Sequence, residues 1–150
     1  MIKAKYKHTN IVAQDWRKLA KFYQRILGCK PVPPERNHTG EWVGRCTGVR
    51  GAEVRGVHLR LPGYGDDGPT LEIFQYNRVE IRPETAINRP GFAHLAFEVD
   101  DVQAARDALI AAGGRYVGEL VTTEIAGAGT ITLIYVTDPE GNIIELQKWG

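Results

Sequence analysis

The sequence predicts an α+β fold of two tandem βαβββ modules forming a curved mixed sheet around a cleft. Three observations predict it. Two segments, one around His8 and one around His94, begin with the alternation of a half-buried strand and then turn helical. The offsets repeat: seven residues separate His8 from Asp15 and His94 from Asp101, and twenty separate His8 from Gly28 and His94 from Gly114. Each half later supplies a strand with a glutamate between apolar residues, Leu71-Glu72-Ile73 in the first and Ile144-Glu145-Leu146 in the second. At 150 residues, 43% apolar and 25% charged, the chain is long enough for one domain with a real core. Neither half buries much alone, so the sheets are expected side by side, with helices on one face and a shared cleft on the other.

Module 1 spans about residues 1–78. Alternation over residues 6–13 predicts its first strand, and Asp15 is placed to cap a helix. The apolar stripe of that helix is Trp16, Leu19, Ala20, Tyr23, Ile26 and Leu27, and Gly28 ends it. Stretches 33–41 and 62–69 are rich in Gly, Pro and charge and read as loops at the cleft mouth. Residues 70–76 form the strand that carries Glu72. From His8 to Glu72 is 64 residues, against 51 from His94 to Glu145, and the surplus fits residues 33–54. A linker over residues 79–90 leads to module 2, about residues 91–150. Its first strand is read over residues 92–99, followed by a helix capped by Asp100 or Asp101. Val102, Ala105, Leu109 and Ile110 make the stripe, and Gly113-Gly114 end it. Further strands are expected over residues 115–121, 130–137 and 142–149.

Several function classes are disfavoured by composition. Nineteen Lys and Arg against eighteen Asp and Glu leave a net charge of +1, with no excess to attract nucleic acid or acidic membranes. The apolar runs are strand-sized, far short of a membrane span. Residues 1–9 lack a secretory signal, so the cytoplasm is the expected compartment. Cys29 and Cys46 form no CxxC pair and read as free thiols filling apolar space.

Strand parity then sorts the polar residues. Side chains alternate between faces, so Ile11, Leu71, Ile73, Leu95, Phe97, Ile144 and Leu146 form the surface the helices require. The opposite parity holds His8, Asn10, Glu72, Tyr76, His94, Glu145 and Gln147. One His and one Glu per module give two imidazoles and two carboxylates, a set that balances a divalent ion and suits Zn, Ni, Co, Mn or Fe(II). The expected ligands are therefore His8, Glu72, His94 and Glu145, with Asn10, Tyr76 and Gln147 placed to orient a bound substrate oxygen. His38 and His58 are expected to be ordinary loop and strand residues. Glu53 is a weaker base candidate, and Trp42, beside the insertion, a weaker candidate for a lid. Trp16, Phe22 and Phe74 are expected in cores.

These residues resemble the vicinal oxygen chelate superfamily, which includes glyoxalase I, methylmalonyl-CoA epimerase, extradiol dioxygenases and fosfomycin- or bleomycin-resistance proteins. The resemblance rests on His8-Thr-Asn-Ile-Val12 with Lys21-Phe-Tyr-Gln-Arg-Ile-Leu-Gly28, on Leu71-Glu-Ile73, on the run from Gly91 to Asp101, and on Asp138-Pro-Glu-Gly-Asn-Ile-Ile-Glu-Leu146. It implies paired βαβββ modules, a homodimer, and metal positions at His8, Glu72, His94 and Glu145. Subfamilies differ at the Glu72 position. A fourth ligand favours proton transfer over dioxygen chemistry, so the resemblance implies an isomerase, epimerase or glyoxalase-like lyase. The reaction would move a proton beside a carbonyl whose oxygen the metal holds, with Glu145 and Glu72 as the exchanging bases, on a small molecule with vicinal oxygens or a carbonyl. Relatives that bind glutathione usually carry Arg where this chain has Val12, which favours a small carbonyl compound or a thioester. The alternatives are an Fe(II) extradiol-type dioxygenase and a small-molecule binding or resistance protein without turnover.

Overall fold

The structure, a computed structural model, describes residues 1–150 and divides into two units, residues 1–81 and 82–150. In unit 1 the elements are β1 (His8–Val12), α1 (Trp16–Leu27), β2 (Lys30–His38), α2 (Glu41–Thr47), β3 (Val54–Arg60) and β4 (Thr70–Tyr76). Unit 2 holds β5 (His94–Glu98), α3 (Val102–Ala111), β6 (Val121–Ile125), β7 (Gly129–Thr137) and β8 (Ile143–Trp149). Each unit is a four-stranded mixed sheet, ordered β1-β4-β3-β2 and β5-β8-β7-β6. The first strand runs parallel to the last, through a helical crossover, while the remaining pairs are antiparallel. The expected α+β fold of two βαβββ modules is therefore what the chain adopts. No helix is long and apolar enough to cross a membrane.

Both principal helices form where their caps place them. The Asp15 carboxylate accepts the Lys18 N–H at 3.0 Å, and the left-handed Gly28, at φ 69°, closes α1. Of the two candidates in module 2, Asp101 is the cap, accepting the Ala104 N–H at 2.9 Å. Helix α1 lies against β3 and β4 and buries Trp16, Leu19, Ala20, Phe22 and Tyr23. Val57, Leu59, Leu71 and Ile73 are the buried residues on those strands. Helix α3 packs on β7 and β8, where Ile134, Val136, Ile144 and Leu146 are buried. Burying such side chains contributes roughly 1.5–3 kcal/mol each.

Three local expectations are corrected. Residues 33–41 are not wholly loop, because β2 runs through Pro31, Pro33 and Pro34 as far as His38. An edge strand tolerates prolines on the side that needs no partner, and the register shifts between Val32 and Arg36 where they cluster. The insertion also contains a helix, α2, which seats Val43 with Ala52 and Val54 in a buried cluster flanked by Phe74 and Tyr76. In module 2 the strand expected over residues 115–121 lies later, at Val121–Ile125. The turn at residues 126–128 starts the ladder with Ile125 opposite Gly129, leaving Tyr116 only an isolated bridge to Val136.

Candidate metal centre

In module 1 the parallel register sets Asn10 opposite Glu72 and leaves His8 two residues earlier on the same face. The antiparallel register between β3 and β4 sets His58 directly opposite Glu72. The Glu72 carboxylate is the hub of this group, with its side chain only 12% exposed. Its Oε1 accepts a hydrogen bond from Asn10 Nδ2 at 2.8 Å and lies 3.7 Å from His8 Nε2. Its Oε2 lies 2.5 Å from His58 Nε2. The other nitrogen of His58, Nδ1, is 3.0 Å from the Thr70 hydroxyl, and the His8 and His58 rings meet edge to face at 5.3 Å. Burial, more than any neighbour, pushes His58 below the usual histidine range; Arg36 and His8 add to this, while Glu72 opposes it. A neutral imidazole is the form that coordinates metal.

One donor atom from each of His8, His58 and Glu72 can be chosen so that all lie within 4.8 Å of one another. Two imidazoles and one carboxylate fit a divalent transition ion. Sequence reasoning placed His8 and Glu72 here but passed over His58. The hairpin turn between β3 and β4 is centred near Gly65, and folding the chain about that point sets residue 58 across from 72.

Module 2 repeats the pair. His94 Nε2 lies 3.0 Å from Glu145 Oε2, and the Glu145 side chain is 11% exposed. The residue opposite Glu145 on the antiparallel side is Tyr135, which also meets the His94 ring at 5.1 Å. Burial first, then the charge of Glu145 and the hydrogen bond to it, raise Tyr135 above the usual phenol range. Glu145 is delivered by a tight turn. The fully buried Asp138 carboxylate accepts the N–H groups of Glu140 and Asn142 at 2.9 Å each and the Asn142 side-chain amide at 2.6 Å. This reverses the chain so that β8 begins at Ile143 and turns Glu145 to the face that His94 occupies.

The remaining candidates are spread along the same strands. Tyr76 is half-buried at the far end of β4, beside Val43, Ala52 and Val54, and Gln147 stands two residues beyond Glu145. Glu53 is exposed just before β3 and its parity is opposite to that of His58. Trp42 is 54% exposed, with its ring against His38. Trp16 and Phe22 are buried, and Phe74 is half-buried. Both cysteines are free thiols, Cys29 buried and Cys46 exposed.

Comparison with known proteins gives a consistent picture. The model of the family described as the glyoxalase, bleomycin resistance protein and dioxygenase superfamily matches residues 5–146. A probable lactoylglutathione lyase of Vibrio parahaemolyticus is 30% identical over 142 residues, covering 93% of this chain and 86% of that protein. A lactoylglutathione lyase of Haemophilus influenzae is 27% identical, covering 92% and 87%. Among solved structures, a glyoxalase family protein from Bacillus cereus superposes with a TM-score of 0.75 over 99% of this chain and 95% of that one, at 22% identity. That last likeness concerns the fold.

Proposed function

The chain belongs to the glyoxalase, bleomycin resistance protein and dioxygenase superfamily, and from that premise we propose that it is a divalent-metal-dependent glyoxalase-like lyase or isomerase. The carrying observation is the recurrence of a close His–Glu pair in each module, His8 with Glu72 and His94 with Glu145. The proposed ligand set is those four residues. The ion would be Zn, Ni, Co, Mn or Fe(II), and the chain would act as a homodimer in the cytoplasm. When bound, the ion supplies positive charge where an enolate oxygen gains negative charge, an effect worth several kcal/mol.

The rest of the mechanism belongs to side chains. Glu145 and Glu72 would carry the proton to and from the carbon beside the carbonyl, a pair of bases that suits both epimerisation and a glyoxalase-type shift. Asn10 holds Glu72 by donating its amide N–H to Oε1, which fixes the plane of the carboxylate. Tyr135 does the same for Glu145 and, by remaining protonated, donates rather than competes. Asn10, Tyr76 and Gln147 orient the substrate oxygens.

Two considerations bear on the substrate. The names of the relatives point to a hemithioacetal of glutathione, while Val12, at the position where an Arg would bind its carboxylate, favours a small carbonyl compound or a thioester. Proton NMR in D₂O separates these. The protein is mixed with 2-oxo compounds with and without glutathione, with thioesters and with ketoses. Metal-dependent exchange of a carbonyl-adjacent proton, lost in Glu145→Gln, is the expected result, and the substrate that exchanges names the class. Absence of exchange with every compound contradicts the proposal. A second reading, an Fe(II) extradiol-type dioxygenase, is favoured by the two imidazoles and one carboxylate of His8, His58 and Glu72. Oxygen uptake with catechols would replace the first reading with this one.

A further inference from the structure

We infer that His8, His58 and Glu72 form a divalent-cation site complete within module 1, with His58 as a ligand. The inference rests on the proposed metal dependence and adds a donor to it. Two donors about 2.1 Å from a shared tetrahedral ion stand about 3.4 Å apart. The observed separations from Glu72, 2.5 Å to His58 Nε2 and 3.7 Å to His8 Nε2, bracket that value. Shifts of under about 1 Å, within reach of side-chain rotation, would bring both to that value.

The surroundings of His58 suit a ligand. Its Nδ1 is held by the Thr70 hydroxyl at 3.0 Å, a group that can donate or accept. Thr70 therefore supports the tautomer in which Nε2 carries a proton toward Glu72, and equally the one in which Nε2 offers a lone pair while Nδ1–H donates to the hydroxyl. Thr70 is itself buried and fixed on β4 by the same register that sets His58 opposite Glu72. The ring is further confined by edge contacts with His8 and Phe74. Asn10 occupies one lone pair of Glu72 Oε1 and so fixes the carboxylate plane without using up the oxygens aimed at the imidazoles. Module 2 has no counterpart to this third donor, because Tyr135 takes the place opposite Glu145.

The test uses the full chain, stripped of metal and titrated with zinc, read by calorimetry and by elemental analysis after dialysis. The double variant His94→Ala with Glu145→Gln is expected to retain a stoichiometric amount of zinc. Adding His58→Gln to that background is expected to weaken binding by at least about 100-fold. Circular dichroism checks folding, and His8→Gln, at an exposed position on the edge strand β1, gives a second route to the same loss. If the double variant binds no zinc while the wild type does, the inference fails and the four-residue set of the proposed function stands. If His58→Gln leaves binding in the double variant unchanged, the inference also fails. A wild-type chain that binds no divalent ion overturns both readings.

Discussion

Modules 1 and 2 share strand order, register and a His–Glu pair, yet they differ in what stands beside the glutamate. On β4, Glu72 faces His58 on one side and Asn10 on the other; on β8, Glu145 faces Tyr135 and Ala96. The two glutamates occupy equivalent positions but do not share a chemical setting. Module 1 surrounds its carboxylate with a second imidazole and an amide, a setting for holding a cation. Module 2 gives its carboxylate a phenol that burial and Glu145 itself keep protonated, a hydrogen-bond donor where module 1 has an imidazole. Module 1 also closes one end of its sheet with α2, whereas module 2 has no such insertion. A repeat can thus keep its backbone and its His–Glu pair while its halves diverge in the residues one strand away.

The largest expected effect tests whether the glutamates are equivalent in function. Glu145→Gln should slow carbonyl-adjacent proton exchange by about 10²–10⁴-fold, measured by NMR. Glu72→Gln should fall by a similar factor if both are bases; a loss confined to Glu145 would leave Glu72 as a ligand alone.

Gly56 marks a difference in packing, since the equivalent position of β7 carries Leu133. A Cβ at Gly56 would come 2.0 Å from the Ile73 carbonyl oxygen and 2.6 Å from the Phe74 ring. Gly56→Ala should therefore cost about 3 kcal/mol or more in denaturant unfolding. Val43→Ala, which hollows the α2 cluster that only module 1 possesses, should cost about 1–2 kcal/mol. In module 2, Tyr135→Phe removes a hydrogen bond to Glu145 and should cost about 1 kcal/mol. Tyr135→His would make module 2 resemble module 1, and a gain in zinc affinity is its expected outcome.

The smallest effect concerns the thiols. Burial pushes Cys29 up to about 11, so at pH 8 a thiol reagent should label Cys46 quickly and Cys29 slowly. A raised value in the folded state means the fold binds that proton more tightly than the unfolded chain. The stabilisation is present below the ordinary thiol value near 9 and falls away as pH rises toward 11. Cys29→Ala should flatten that part of a stability profile.

Much of this was legible in the sequence because it is written in short-range patterns. Asp15 and Gly28 bound α1, Asp101 caps α3, and the parity of β1, β4, β5 and β8 puts His8, Glu72, His94 and Glu145 on the faces away from α1 and α3. What escaped depends on pairing. His58 shares parity with Glu72, but only the β3–β4 register brings the two together, and a lone strand histidine gives no local sign of that. The prolines of β2 concealed a strand because an edge can omit hydrogen bonds that a central strand needs. Helix α2 is only seven residues long and has Gly40 in place of a side-chain cap, so neither periodicity nor capping announced it.

The proposed function requires the paired His–Glu positions to hold a divalent ion. Titration of the metal-stripped wild-type protein with Co(II), followed by visible absorption, tests it most directly. Saturation at a simple stoichiometry, with a spectrum of nitrogen and oxygen ligation that Zn abolishes by competition, is the predicted result. A titration with no saturable absorbance, from protein shown to be folded, would contradict the account.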